Sequence, residues 1–240
     1  MNTIKFANKG NVKMIAHRGL SGLEVENTCP AFVAAAVKSY YGIETDVHVT
    51  KDGKFILVHD DDLKRVAGRN LSVEGSTFKE LRAVRMKDTD GKTERGDLFL
   101  PTPEEYFHIC KKYGKVSVLE LKNEMSQEKI WEIAEIAQKM KWLDGVIFIS
   151  FSWNNLVWLR EKFPKAKAQF LTEIGTDEEI ERMIAYKIDA DFWSGCVTKE
   201  KVDRLHKAGR IVNCWTVDDV KTAERMKSFG VDMITTDILE

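Results

Sequence analysis

The feature that most constrains this chain is a repeated unit, a short apolar run ending in a polar or aromatic residue and followed by a stretch with helical capping. Runs that read as strands end near His17, His48, Lys122, Ser150, Leu171, Trp193, Trp215 and Thr236. The punctuation between them is helical. Thr102 and Glu105 form a capping box around Pro103, with Gly114 at the far end. Thr176 pairs with Glu179 in the same way, and Gly209 and Gly230 stop two later helices. Strands separated by helices run parallel in one sheet, and eight such units in 240 residues are the arithmetic of an α/β (β/α)8 TIM barrel. A doubly wound open sheet is the competitor. Against it, His17-Arg18-Gly19-Leu20-Ser21-Gly22 after the first strand is not a Gly-rich phosphate loop. The sequence stops just after the eighth strand, so the eighth helix is expected to be absent or vestigial.

No linker rich in Pro, Gly or Ser divides the chain, so one domain over residues 1–240 is expected. The stretch of roughly residues 60–100 is less regular and reads as an insertion after the second strand, with one short helix near Thr77 to Val84. Apolar content of 43% with 31% charged residues excludes a disordered or membrane-embedded chain, and a net charge of -1 gives no general attraction for nucleic acid. The N-terminal residues lack a signal-like apolar run, and no later run approaches the length of a membrane span. Cys29, Cys110, Cys196 and Cys214 have no C-x-x-C spacing and read as reduced thiols. Together these point to a cytoplasmic protein; its oligomeric state is left open.

Chemistry concentrates in residues 42–60. Side chains alternate along a strand, so Ile43, Thr45, Val47 and Val49 share one face while Glu44, Asp46 and His48 share the other. Two carboxylates on one strand face repel unless a cation or a basic partner sits between them, which makes a metal site the first hypothesis. A solvated amphipathic hairpin is the alternative. Lys51-Asp52-Gly53-Lys54 reads as a tight turn, and residues 55–58 as a returning arm outside the barrel that delivers His59.

In a parallel barrel the active site lies at the C-terminal ends of the strands. Those ends carry His17, Arg18, Glu44, Asp46, His59, Glu120 and Lys122, then Phe151, Trp193, Trp215 and Asp237. Carboxylates without a Cys-His cluster favour a hard divalent cation, Mg2+ or Ca2+. Arg18 and Lys122 add positive charge for an anionic, oxygen-rich substrate such as a phosphoester. Two histidines can serve as general base and general acid near neutral pH. Phe151 and Trp215 offer apolar faces to the organic part of a substrate, and His48 reads as a supporting or surface residue.

In order along the chain, His17-Arg18-Gly19, Glu26-Asn27-Thr28, Glu44-x-Asp46, Thr50-Lys51-Asp52-Gly53, His59-Asp60, Glu120-Leu121-Lys122, Ser150-Phe151, Trp215-Thr216-Val217 and Thr236-Asp237 resemble the motif series of the glycerophosphodiester phosphodiesterase family. Val25, Pro103 and Ile238 depart from its usual pattern, at positions that affect helix entry and the chain end. The resemblance implies a (β/α)8 barrel that hydrolyses glycerophosphodiesters to an alcohol and glycerol 3-phosphate with a divalent metal. It places the metal on Glu44, Asp46 and Glu120, the acid and base on His17 and His59, and phosphate contacts on Arg18 and Lys122. Analogy with the related phosphoinositide-cleaving barrels makes His17 the group that activates the nucleophile and His59 the acid. Two other readings stand beside it. A non-catalytic barrel that binds glycerol phosphate esters does not need a histidine pair. A lysophospholipase D should carry an apolar insertion, whereas residues 79–97 are charged.

Overall fold

The computed structural model describes residues 2–240. Its barrel strands are β1 (Lys13–Ala16), β2 (Gly42–Val49), β4 (Val116–Leu121), β5 (Val146–Ser150), β6 (Lys167–Thr172), β7 (Asp189–Trp193), β8 (Val212–Trp215) and β9 (Met233–Thr236). Each pairs in parallel with the next, and β1 pairs with both β2 and β9, so the sheet closes on itself. Closure rules out the open doubly wound sheet. The arm β3 (Phe55–Leu57) runs antiparallel to the end of β2, with Val47 opposite Leu57, and stands outside the barrel as expected for a hairpin arm.

The barrel interior combines a small apolar core with acidic residues toward the strand ends. Ile15, Val118, Ile147, Ile149, Leu171 and Met233 form the inner core, whereas Leu119, Leu121, Ile43 and Val47 point outward to the helices. Period-two alternation therefore places Glu44, Asp46 and Glu120 inside.

The helices α1 (Cys29–Ala36), α4 (Pro103–Tyr113), α5 (Gln127–Lys139), α6 (Trp153–Lys162), α7 (Asp177–Tyr186), α8 (Lys199–Lys207) and α9 (Val220–Phe229) form the outer layer. Thr28 caps α1, and Thr102 and Thr176 close capping boxes with Glu105 and Glu179. Tyr106 on α4 is fully buried, and its hydroxyl donates to the carbonyls of Ile43 (2.7 Å) and Val118 (3.2 Å). That contact ties one helix to the two strands that carry the acidic residues. No helix follows β9; residues 238–240 instead pair with the N-terminal segment through backbone bonds to Ile4 and Phe6.

The insertion has its own small core of Ile56, Val58, Leu63, Val66, Val73, Leu81, Met86, Leu98 and Leu100. It holds two short helices, α2 (Lys64–Ala67) and α3 (Phe78–Arg82). The first was not visible in the sequence because four residues carry no helical period and its N-cap, Leu63, makes no side-chain cap bond.

Candidate active site

Glu44 and Asp46 project from β2 and Glu120 from β4, where Asp46 and Glu120 are register neighbours. One carboxylate oxygen from each lies within 4.8 Å of the other two, and all three side chains are buried. The alternative of a solvated acidic face is thereby excluded. Three buried carboxylates so close repel, and the surrounding groups meet this only in part. Lys122 Nζ lies 2.8 Å from Glu120 and 3.7 Å from Asp46, and Arg18 Nε lies 3.8 Å from Asp46. The Asn27 amide donates to Asp46 at 2.8 Å, and the Arg18 backbone N–H donates to Glu44 at 2.8 Å.

The three acids respond differently. Burial acts to raise Asp46, but Lys122, Arg18 and His59 outweigh it and hold the group at about 2. Burial, then repulsion from Asp46, pushes Glu120 up to about 7 against the pull of Lys122. Burial, then Asp46 and Glu120, drives Glu44 well above the usual carboxylate range. A donor set made only of oxygens, with one carboxylate that cannot hold its charge unaided, fits a hard divalent cation.

Arg18 and Asn27 adopt positive φ values of 54° and 53°. The loop after β1 needs Gly19 as well: its φ is 78°, and a Cβ there would lie 2.7 Å from the Ala31 backbone. This turn brings Arg18 over the acids, where Glu26 accepts from its guanidinium at 2.9 Å.

Each of the two histidines is anchored through Nδ1. His17 contacts Asp237 Oδ1 at 2.7 Å, and Ser21 donates to the same oxygen at 2.9 Å. His59 contacts Asp60 Oδ1 at 2.8 Å, and Arg65 grips Asp60 and Glu26 together. Burial is the largest influence on His59 and lowers it, with Asp46 pulling the other way. His48 is buried, not at the surface: its Nδ1 meets Glu74 at 3.0 Å, and its Nε2 lies 3.3 Å from the His59 carbonyl. It therefore sits against the backbone that carries His59.

His17, Arg18, Glu44, His59 and Glu120 line one cleft of about 200 Å3 together with Phe151, Trp215, Leu171, Glu173, Asp191 and Thr235. Phe151 and Trp215 meet edge to face at 5.8 Å between centroids, forming an aromatic wall. Lys122 and Asp46 adjoin this cleft through Glu120. Trp193 is half exposed outside it.

Sequence reading missed four partners. Asn27 stands in the Glu26-Asn27-Thr28 motif with no role toward Asp46 assigned, Asp237 has no assigned role, and Arg65 lies in the irregular stretch of residues 60–100. Asp191 sat inside an apolar-looking strand, where alternation with Ala190 and Phe192 was the available signal.

Residues 17–240 match the model of the glycerophosphoryl diester phosphodiesterase family. The chain belongs to that family. A glycerophosphodiester phosphodiesterase of Bacillus altitudinis is 30% identical over 234 residues, 94% of each chain, and one of Caldanaerobacter subterraneus is 29% identical over 93% of each. Among solved structures, the Thermotoga maritima glycerophosphodiester phosphodiesterase superposes with a TM-score of 0.76 at 29% identity, covering 94% of both chains. The Oleispira antarctica phosphodiesterase superposes with a TM-score of 0.86 at 24% identity, over 94% of this chain and 92% of that one. The protein is thus a phosphodiester hydrolase with a TIM-barrel fold. Among the described residues of this hydrolase, no helix is long and apolar enough to cross a membrane.

Proposed function

We propose that this phosphodiesterase hydrolyses glycerophosphodiesters to an alcohol and glycerol 3-phosphate, in the cytoplasm, with Mg2+ or Ca2+ held by Glu44, Asp46 and Glu120. The observation that carries this reading is the placement of two histidines, each with Nδ1 on a carboxylate, around one cleft with the three acids. The Oleispira structure is a complex with sn-glycerol-3-phosphate, the product proposed here.

A bound cation would supply charge stabilisation for the phosphoryl oxygens. The chain's own groups do the rest. Arg18 and Lys122 neutralise the phosphate and orient it. Asp237 keeps the proton on Nδ1 of His17, so Nε2 is free to take a proton from the nucleophile. The nucleophile is water, or the glycerol hydroxyl beside the ester, which gives a cyclic phosphate that water then opens. As the bond from phosphorus to the leaving oxygen breaks, His59 delivers a proton to that oxygen. Burial lowers His59 while Asp46 pulls the other way, and its contact with Asp60 through Nδ1 leaves Nε2 for the leaving oxygen.

The test is release of glycerol 3-phosphate from a panel of glycerophosphodiesters with Mg2+, Ca2+ or chelator. Metal-dependent release supports the reading. Full activity in chelator, or cleavage that leaves phosphate on the alcohol, overturns it.

A further inference from the structure

The cleft has an open mouth and an enclosed floor, and the mechanism above uses neither the floor nor its one acid. Asp191 projects inward from β7 between Leu171 on β6 and Asn213 on β8. It is 1% exposed and lines the cleft, yet its Oδ1 has no hydrogen-bond partner. The Asn213 side chain acts on the Asp191 carboxylate, against the effect of burial, but leaves Oδ1 unmet, and the neighbours spend most of their hydrogen bonds elsewhere. Asn213 exchanges hydrogen bonds with Thr235 at 3.2 Å and accepts from the Cys214 N–H at 2.9 Å, while the indole of Trp215 donates to the Asp191 carbonyl at 3.4 Å. A buried acceptor without a donor is costly and is rarely kept in a packed interior without a ligand or water to meet it. The walls beside it, Ile149, Leu171 and Trp215, are apolar. A pocket with largely apolar sides and an unmet carboxylate oxygen beside Thr235 suits a short carbon chain that ends in a hydroxyl.

We propose that this floor is a hydroxyl-binding subsite for the glycerol end of the substrate, with Asp191 accepting from the terminal hydroxyl and so determining specificity. The proposal rests on the phosphodiesterase reading above. The orientation follows from size: glycerol is the small part common to all such diesters and fits the enclosed end, whereas the variable alcohol needs the mouth beside exposed Phe151 and Glu173. The hydroxyl next to the ester must stay at the reacting phosphorus near His17, which leaves the terminal one for Asp191. A hydroxyl can donate to a carboxylate or accept from a carboxylic acid, so it is served by either form of the side chain.

The test compares glycerophosphocholine with the phosphocholine diester of propane-1,2-diol, which lacks only the terminal hydroxyl. The native enzyme is expected to prefer the glycerol ester by roughly 10- to 100-fold in kcat/KM. In Asp191→Ala that preference should collapse to within about 3-fold, through loss on the glycerol ester, and Asp191→Asn should keep part of it because the amide oxygen still accepts. An equal fall on both esters, or an unchanged preference, overturns the proposal. Calorimetry separates this result from failure of the phosphodiesterase reading. If the native protein cleaves neither ester, glycerol 3-phosphate should still bind more tightly than inorganic phosphate, and Asp191→Ala should erase the difference; equal binding of both by the native protein sinks the subsite. Thermal melts check folding, since removing an unpartnered acid should leave Tm level or raised.

Discussion

His17 and Asp237 stand 220 positions apart and meet at 2.7 Å, where the loop after the first barrel strand touches the loop after the last. Closure of the barrel makes this pair, because β1 and β9 are register neighbours from Lys13 opposite Met233 to Ala16 opposite Thr236. The pairing sets the ring orientation of His17. Asp237 itself is held below the usual carboxylate range: burial acts to raise it, but the contacts from His17 and Ser21 prevail.

The first prediction follows from that contact. Asp237→Asn should lower kcat on the order of 10²-fold with KM little changed, because an amide no longer selects the tautomer with Nε2 free. Steady-state kinetics on glycerophosphocholine measure this. A variant with native kcat would show that Asp237 serves only the loop.

Metal binding should appear in stability as well as in rate. Millimolar Mg2+ or Ca2+ at about 100 times its Kd should raise Tm by roughly 5–10 °C over chelator-treated protein. Glu44→Gln should abolish most of that rise while leaving the metal-free Tm equal or higher, since it relieves repulsion with Asp46 and Glu120. Differential scanning calorimetry with and without chelator reads both effects; an identical metal response in the variant would remove Glu44 from the ligand set.

Leaving groups separate the two histidines. If His59 is the acid, His59→Ala should lose about 10²- to 10⁴-fold with choline or ethanolamine as leaving group and far less with an activated aryl leaving group, which needs little protonation. His17→Ala should lose equally on both. The reverse pattern exchanges the roles, and retained activity in either variant takes that histidine out of the chemistry.

Acid stability has a local source at Glu240, whose carboxylate accepts from Thr3 at 2.6 Å and the Ser39 N–H at 2.9 Å and pairs with Lys5 at 2.9 Å. Burial acts to raise it, but these bonds hold it at about 2 against an ordinary value of 4.5. The folded-state value is depressed, so the stabilisation is fully present above pH 4.5 and is lost as pH falls toward 2. Urea midpoints for Glu240→Gln should therefore lie below the native ones at pH 6 and converge on them near pH 2. Parallel curves over that range would contradict the assignment.

Local rules made much of this protein readable from the order of its residues alone. Alternation along β2 determined that Glu44 and Asp46 share one face, because a strand's period is a property of the backbone; the register of β4 on β2 brings Glu120 beside them. Capping chemistry determined where α4 and α7 begin, because Thr102 and Thr176 act on residues three positions away. The count of such units implied the barrel. Partnership across the barrel was another matter. That Asp237 serves His17, that Arg65 of the insertion clamps Asp60 to Glu26, that His48 turns inward beneath His59, and that one oxygen of Asp191 is left without a partner depend on strand register and on how loops fold over the rim. No local pattern encodes those distances. They are set when the sheet closes and brings together residues as much as 220 positions apart, and only the tertiary structure decides which buried charges then find a partner.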